Sequence, residues 1–413
     1  MTEKTTVVIS GGGPAGMVLG LLLARGGIQV TVLEKHGDFL RDFRGDTVHA
    51  STVQLMDELG LGEKFRALPQ SRLGDLEAPL PDGGRVQLSE FAALPAPYNY
   101  VAMIPQWDLL DFLAGEAAKE PSFTLRMNTA ATGLIKENGK VAGVRYRTRD
   151  GEEGEIRAEL TVACDGRHST LRQEAGLSPK EYPVPFDTWW FRLPRHADEQ
   201  DQIARLVGEF KGDQIALSFT REDFYQIAYF TRKGADPRLR AEGVERFRQK
   251  IAQLLPQYAD RVEHIRSMDD LHLLDVKLNR LPRWHIDGLL LIGDAAHAMS
   301  PAGGMGINLA IQDAVAAATL LAEPLQNGTL TTADLAKVQK RRWRPTVLVQ
   351  RFQLLLHRVM FAPAFAGKRV GPPKPLVFIA RRFPAFRRIP SKLIAFGPRP
   401  EHAPAYARRA NAL

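Results

Sequence analysis

Residues 5–35, TTVVISGGGPAGMVLGLLLARGGIQVTVLEK, constrain the fold more than any other stretch. An apolar run leads into Gly11-x-Gly13-x-x-Gly16, then a second apolar run, then an acid. The order reads as strand, tight turn, helix, strand. Gly11 permits the turn, Gly13 lets the backbone approach a pyrophosphate, and Gly16 lets helix and strand pack closely. Pro14 and Ala15 belong to the same turn, and the helix start that follows favours an anion. Glu34, with Lys35 after it, closes the second strand 23 residues beyond Gly11. A carboxylate there accepts from ribose hydroxyls and disfavours a 2′-phosphate. The unit therefore binds a dinucleotide, FAD or NAD in preference to NADP.

Bulk properties bound the rest. At about 100–200 residues per domain, 413 residues suggest two or three domains, or one with subdomains. The single cysteine, Cys164, excludes an internal disulfide framework and a metal knuckle, so no metal site is expected. The first strand begins by about Thr5, which leaves no signal peptide, and no apolar run nears the roughly 18–20 residues of a bilayer span. These features predict a soluble, cytoplasmic protein. The net charge of +8 is uneven: residues 340–413 hold seventeen Lys or Arg and one acid, Glu401. That basic segment either packs on an acidic body or meets an anionic partner, such as a membrane surface or carrier protein. The Arg pairs 381–382 and 387–388 read as surface charge. No nucleic-acid module is recognisable.

Along the chain, Val53, Leu55, Met56 and Leu59 suit one helix face ended by Gly60, and a second helix starts near Trp107. Residues 122–166 are a run of strands with hairpin turns at ENGK and RDGE. More sheet is predicted over 182–232, a helix over 240–257, a strand, glycine loop and long helix over 288–325, and an amphipathic helix after Pro345. Beyond 363 the chain is punctuated by proline.

Two later segments choose between flavin and nicotinamide. Leu160-Thr-Val-Ala-Cys164-Asp165-Gly166 is a strand ending in Asp-Gly, and Cys164 there reads as inert. Leu291-Ile-Gly293-Asp294 is another strand, followed by Pro301-Ala-Gly-Gly304-Met305-Gly306-Ile307-Asn308 and a helix. Asp294 at a strand's C-terminal end could hold a polyol hydroxyl. The glycines let backbone lie against a flat ring, and the helix start offers N–H groups to a cofactor that gathers negative charge when reduced. A flavin does so; nicotinamide does not.

Together these motifs resemble the class A flavoprotein monooxygenases, the para-hydroxybenzoate hydroxylase fold family that includes ubiquinone-biosynthesis hydroxylases. The likeness covers roughly residues 5–330. It implies an α/β fold: an FAD-binding Rossmann-like domain (1–80, 98–180 and 265–345), an inserted mostly β substrate domain (81–97 and 181–264), and a basic C-terminal helical region (346–413). It also implies roles for single residues. Arg44 would lie near the FAD phosphates and Gln106 would face the flavin. Asp165 would serve FAD and NAD(P)H handling, and Gly293-Asp294 would bind the ribityl chain. Pro301 would line the reactive edge, and Gly304 to Asn308 would turn their amides to the pyrimidine. Pro105 and Ser300 depart from the family pattern, Ser300 replacing the first of two common prolines.

The function implied is an FAD-dependent monooxygenase. It would use NAD(P)H as a transient co-substrate and dioxygen, and hydroxylate an aromatic, hydrophobic or polyketide-like small molecule through a flavin hydroperoxide. The same fold also serves halogenases, isoprenoid reductases and non-catalytic flavin binders; the halogenase WxWxIP element is absent. No catalytic acid or base is assigned. His49 and His297 read as structural. Trp189, Trp190, Phe191, Phe224, Tyr225 and Tyr229 read as one core face, with a pocket wall as the alternative. The stretch 363–400 either closes the substrate site or touches a membrane.

Overall fold

The fold is known from a computed structural model, which describes residues 2–40, 47–74, 77–79, 84–87, 89–199, 206–221, 223–368 and 374–410. Its centre is an eight-stranded sheet. The path runs His285–Ile286, Leu289–Leu291, Glu153–Ala163, Thr2–Ser10, Val30–Leu33, Phe123–Arg126, with Thr129–Glu137 and Lys140–Thr148 joined at Glu153–Ala163. Alternation sorts the strand residues between two layers. Val7, Ile9, Val30, Val32, Leu160 and Val162 pack under the helices Pro14–Arg25, Gln106–Ala117 and Gly306–Gln326. Val8, Leu33, Ala163, Leu289 and Leu291 face the hairpin residues Leu134, Val141 and Val144, and Trp284.

A second, antiparallel sheet orders Leu206–Lys211, Gln214–Thr220, Phe224–Arg232, Phe186–Pro194 and His272–Leu274. Its aromatic residues do not share one face, because consecutive side chains alternate. Trp189, Phe191, Tyr225 and Tyr229 pack on Phe247 and Ile251 of the helix Asp236–Leu254. Phe186, Trp190 and Phe230 join the opposite cluster, which contains Ala302, Phe361 and Phe365. The cross-strand pair Pro194↔Phe224 puts Phe224 on that face as well.

Two boundaries differ from the sequence reading. The fifth strand of this sheet, His272–Leu274, lies beyond residue 264. The helix expected after Pro345 begins at Thr332 and runs to Leu356 with Pro345 inside it. Its start is fixed by a reciprocal cap: Thr331 and Asp334 satisfy each other's backbone N–H. It passes directly into a π-helical turn, His357–Phe361. Short helices Lys374–Arg382 and Arg388–Phe396 follow. Among the described residues, no helix is long and apolar enough to cross a membrane.

Candidate functional site

Strand register builds the site. Ser10 pairs in parallel with Leu33 on one side and Ala163 on the other, and Ala163 pairs with Leu291. The residues that follow these pairs are Gly11, Glu34, Cys164-Asp165 and Ile292-Gly293-Asp294. The chain leaves Thr2–Ser10 toward Val30–Leu33 on one side and reaches Glu153–Ala163 on the other, so the crevice lies where the strand order reverses, the usual ligand position in such sheets. Side-chain space agrees. A β-carbon on Gly11 would sit 2.4 Å from the Cys164 carbonyl oxygen, and one on Gly293 would sit 3.4 Å from that of Ala15.

Gly13 is the informative glycine. It caps Pro14–Arg25 at φ −76°, ψ −177°, a conformation open to any residue, and its side offers no hydrogen-bonding cap. A β-carbon there would meet no atom within 4 Å. Nothing in the folded chain demands glycine, so the space suits a ligand over the helix N-terminus. Gly16 is the opposite case: its β-carbon would fall 2.0 Å from the Gly11 carbonyl oxygen. Glu34 is buried, accepting from the Gly12 N–H at 2.9 Å and the His36 N–H at 3.0 Å. Lys35 is exposed.

Asp165 Oδ2 accepts from the Leu171 N–H at 3.2 Å, while Oδ1 is buried without a partner. Burial raises its carboxyl above the usual range, opposed by hydrogen bonds from Ser169 and the Leu171 backbone. Asp294 is partly exposed, 3.6 Å from the Arg167 guanidinium. The open space at Gly13, the orphaned Asp165 oxygen and the exposed Asp294 carboxylate on adjoining strand ends fit an extended dinucleotide such as FAD.

The second glycine loop is tied to the segment after residue 46. Thr47 Oγ donates to the Gly304 carbonyl at 2.9 Å, and Gly304 needs its positive φ of 62°. The Asn308 side chain is engaged inside the protein: Oδ1 accepts from the His49 N–H and the Thr52 hydroxyl, and Nδ2 donates to the Thr47 carbonyl. Asn308 therefore has no side-chain acceptor left for a cofactor, and its remaining donors are the backbone N–H and the second N–H of Nδ2. Met305 caps the helix Gly306–Gln326 without a side-chain bond and packs its own side chain on Leu278, Leu309 and Val349. The amides of Gly306 and Ile307 open this helix and precede its regular bonding. Pro301 is half-buried beside them. Gln106 is the first residue of its helix, beyond the strand Val101–Met103 whose Met103 pairs with Thr47. Arg44, and Arg41 with it, lie outside the described residues.

Side chains from the C-terminal half hold these loops. Asp313, fully buried, accepts from His297 Nε2 at 2.6 Å, Arg342 Nε at 3.0 Å and the Gly293 N–H at 3.2 Å. Against a burial that would raise it, His297 and Arg342 hold the Asp313 carboxyl below its usual range. Arg342 also reaches Glu401 at 3.2 Å, and Arg341 pairs with the same carboxylate. Asp313 thus ties the Gly293-Asp294 loop to His297 by hydrogen bonds, and the His297 ring lies tilted against Trp284 at 4.7 Å. At the other loop, Ser300 presents its N–H to Gln353 and its hydroxyl to His357 Nε2, at 3.2 and 2.9 Å. A proline at position 300 could make neither contact. His49 Nδ1 meets the Ile394 carbonyl at 2.7 Å, so this histidine is structural. Burial lowers both His49 and His357 to about 4.

Asp313, Arg342, Glu401, Gln353 and His357 were not singled out from sequence. Asp313 stands seven residues into the helix after the second glycine loop, but its partners His297, Gly293 and Arg342 lie 16, 20 and 29 residues away.

A mainly parallel sheet carrying a dinucleotide crevice, with an antiparallel sheet beside it, is an architecture of dinucleotide-binding proteins. A family model described as "FAD binding domain" matches residues 4–351. The chain is 35% identical over 402 residues to the 6-methylpretetramide 4-monooxygenase of Streptomyces rimosus, covering 95% of this chain and 92% of that one. A second Streptomyces rimosus enzyme, 12-dehydrotetracycline 5-monooxygenase/anhydrotetracycline 6-monooxygenase, is 31% identical over 335 residues, 75% of this chain and 61% of the relative. Among solved structures, the anhydrotetracycline hydroxylase of Streptomyces rimosus superimposes with TM-score 0.73 at 24% identity, covering 95% of this chain and 76% of that one. The chain belongs to the class A FAD-dependent monooxygenase family. It is an FAD-dependent oxidoreductase acting on a small organic substrate, in a family that typically takes electrons from NAD(P)H.

Proposed function

We propose that the protein hydroxylates a flat, polycyclic aromatic polyketide with NAD(P)H and dioxygen. The observation that carries this reading is the sheet face above the Pro301 loop. Trp190 and Phe219 lie 5.9 Å apart there, in a cluster that includes Phe230 and Ala302. Such a wall suits a planar apolar ring system. On the same face Thr188 Oγ and Trp190 Nε1 are buried without partners, and so offer polar contacts to substrate oxygens. The near full-length relative whose name specifies 6-methylpretetramide supports the polyketide class.

FAD, when bound, would supply the redox chemistry, namely hydride acceptance from NAD(P)H and activation of dioxygen, with one oxygen atom going to the substrate and the other to water. The chain's part is to bind and orient. Gly11, Gly13, Pro14, Ala15 and Gly16 hold the pyrophosphate at the helix start, and Glu34 takes the ribose hydroxyls. Gly293-Asp294 and Asp165 hold the chain between adenylate and ring. Pro301 would border the reactive edge, and the Gly304–Asn308 amides would face the pyrimidine end of the ring, where N–H groups favour negative charge. The main sheet and its helices are the FAD-binding unit, and the five-stranded sheet covers the substrate and excludes water.

The test is to supply the yellow holoenzyme with polycyclic aromatic polyketides, NAD(P)H and ¹⁸O₂. A product heavier by one labelled oxygen, with matched NAD(P)H and dioxygen consumption, is the expected result. Stimulated NAD(P)H oxidation with a reduced or halogenated product and no label would refute hydroxylation.

A further inference from the structure

The segment that carries the charge excess also carries the exposed apolar surface. Of the eight large apolar side chains exposed among the described residues, seven lie between 348 and 393; the eighth is Leu40. Along the helix Thr332–Leu356 and its π-helical continuation, one exposed stripe reads Arg344, Leu348, Arg351, Leu355, Arg358, Val359. The spacing of four and three keeps them on one helical face. Phe378, Phe383, Ile389 and Leu393 extend the surface, with Phe378 65% and Ile389 62% exposed. Arg381, Arg382, Arg388 and Lys392 are exposed among them, and the Arg382 guanidinium lies 5.4 Å from the Phe383 ring. The helices that carry the two pieces meet on their buried sides, where Ile394 packs against the cluster containing Val349.

No carboxylate relieves this field from within the segment. Its one acid, Glu401, is wholly buried and engaged by Arg341 and Arg342. Part of the basic segment therefore does pack inward, as the sequence allowed, and the remainder faces out.

We infer that this surface docks on an anionic lipid bilayer, with the aromatic and aliphatic side chains entering the headgroup boundary and the guanidinium groups on lipid phosphates. A second copy of the chain is disfavoured, since two such faces would oppose like charges. A protein partner is less well matched. Protein interfaces gather apolar residues into a core from which charge is depleted, whereas here cations and apolar groups alternate turn by turn. The amphipathic helices Lys374–Arg382 and Arg388–Phe396 bring exposed aromatic and aliphatic side chains together with uncompensated cations, the combination that seats a helix at an anionic membrane interface.

The experiment is co-sedimentation of the FAD-loaded protein with vesicles of phosphatidylcholine alone, or with a third phosphatidylglycerol, at 50 and 500 mM salt. Binding is expected to the anionic vesicles, weakened at high salt, with little to the neutral ones. R381Q/R382Q should weaken partitioning about 30-fold, taking about 1 kcal/mol per cation near the surface. F378S/F383S should weaken it at least tenfold, and both variants should keep the wild-type melting temperature and FAD content. Protein left in solution with anionic vesicles at low salt overturns the inference, whatever acidic protein the face then binds. So does binding that both variants leave unchanged, or a dimer in solution that F378S/F383S dissociates.

Discussion

Replacing Asp313 by Asn tests the claim that one carboxylate holds the Gly293-Asp294 loop to the C-terminal half. The wild-type side chain takes three donors, and nothing of it reaches solvent. Asparagine has one acceptor oxygen, and its amide must point N–H groups at another donor. At least one buried donor loses its partner, and the buried Arg342 charge is left with Glu401 alone. Removing one member of a buried ion pair costs about 3–5 kcal/mol. Unfolding entropy of about 2.1 cal/mol/K per residue over 413 residues gives roughly 0.9 kcal/mol/K, so the melting temperature should drop by about 3–6 °C. Differential scanning calorimetry on FAD-saturated wild type and variant measures this. A shift below 1 °C would mean that the pairing contributes nothing net, and the anchoring argument would fail.

Gly13→Ala should leave the apoprotein's stability within about 1 kcal/mol of wild type, since its backbone suits alanine and the entropy gain roughly offsets the poorer N-cap. The same change should weaken FAD binding at least tenfold by fluorescence titration, and unchanged affinity would remove Gly13 from the cofactor site. Gly16→Ala, with its 2.0 Å clash, should fail to give folded protein at all. His49 and His357 stay neutral in the fold down to about pH 4, while the unfolded chain protonates them near 6.5. The unfolded state then binds more protons below about 6.5, so stability falls with pH between about 6.5 and 4, by about 2 kcal/mol per histidine at pH 5. Urea midpoints at pH 7 and 5 read this, and His357→Gln should roughly halve the drop. Ser300→Pro removes both contacts to Gln353 and His357; we expect less product per NAD(P)H consumed, with the remainder released as hydrogen peroxide, and unaltered coupling would show that the latch does not position the Pro301 loop.

The glycine turn, the Asp-Gly strand end and the second glycine loop were legible because each is a short pattern set by backbone geometry. The Thr331/Asp334 capping box went unread, and Pro345 drew the expected helix start fourteen residues too late. The three-residue strand His272–Leu274 was not legible, since it is too short to show alternation. Pairings such as Asp313 with Arg342 and Glu401 leave no local period, so only the fold reveals them. The same holds for the Asn308 side chain, which fastens Thr47, His49 and Thr52, contacts that no local pattern announces. The aromatic strands were recognised, but strand alternation already divides Trp189 from Trp190; only which of the two faces meets the helix Asp236–Leu254 needed the fold.

The stretch from Arg399 to Arg409 lies across the first domain to be synthesised. His402 and the Ala403 amide bond to Glu58, Arg25 reaches the Ala407 carbonyl, and the Tyr406 hydroxyl reaches Ala318. A nascent chain emerging from the ribosome would expose Glu58, Arg25 and the Arg342 charge until these late residues arrive. Truncation before 399 should consequently yield a polypeptide that depends on chaperones rather than a shortened enzyme.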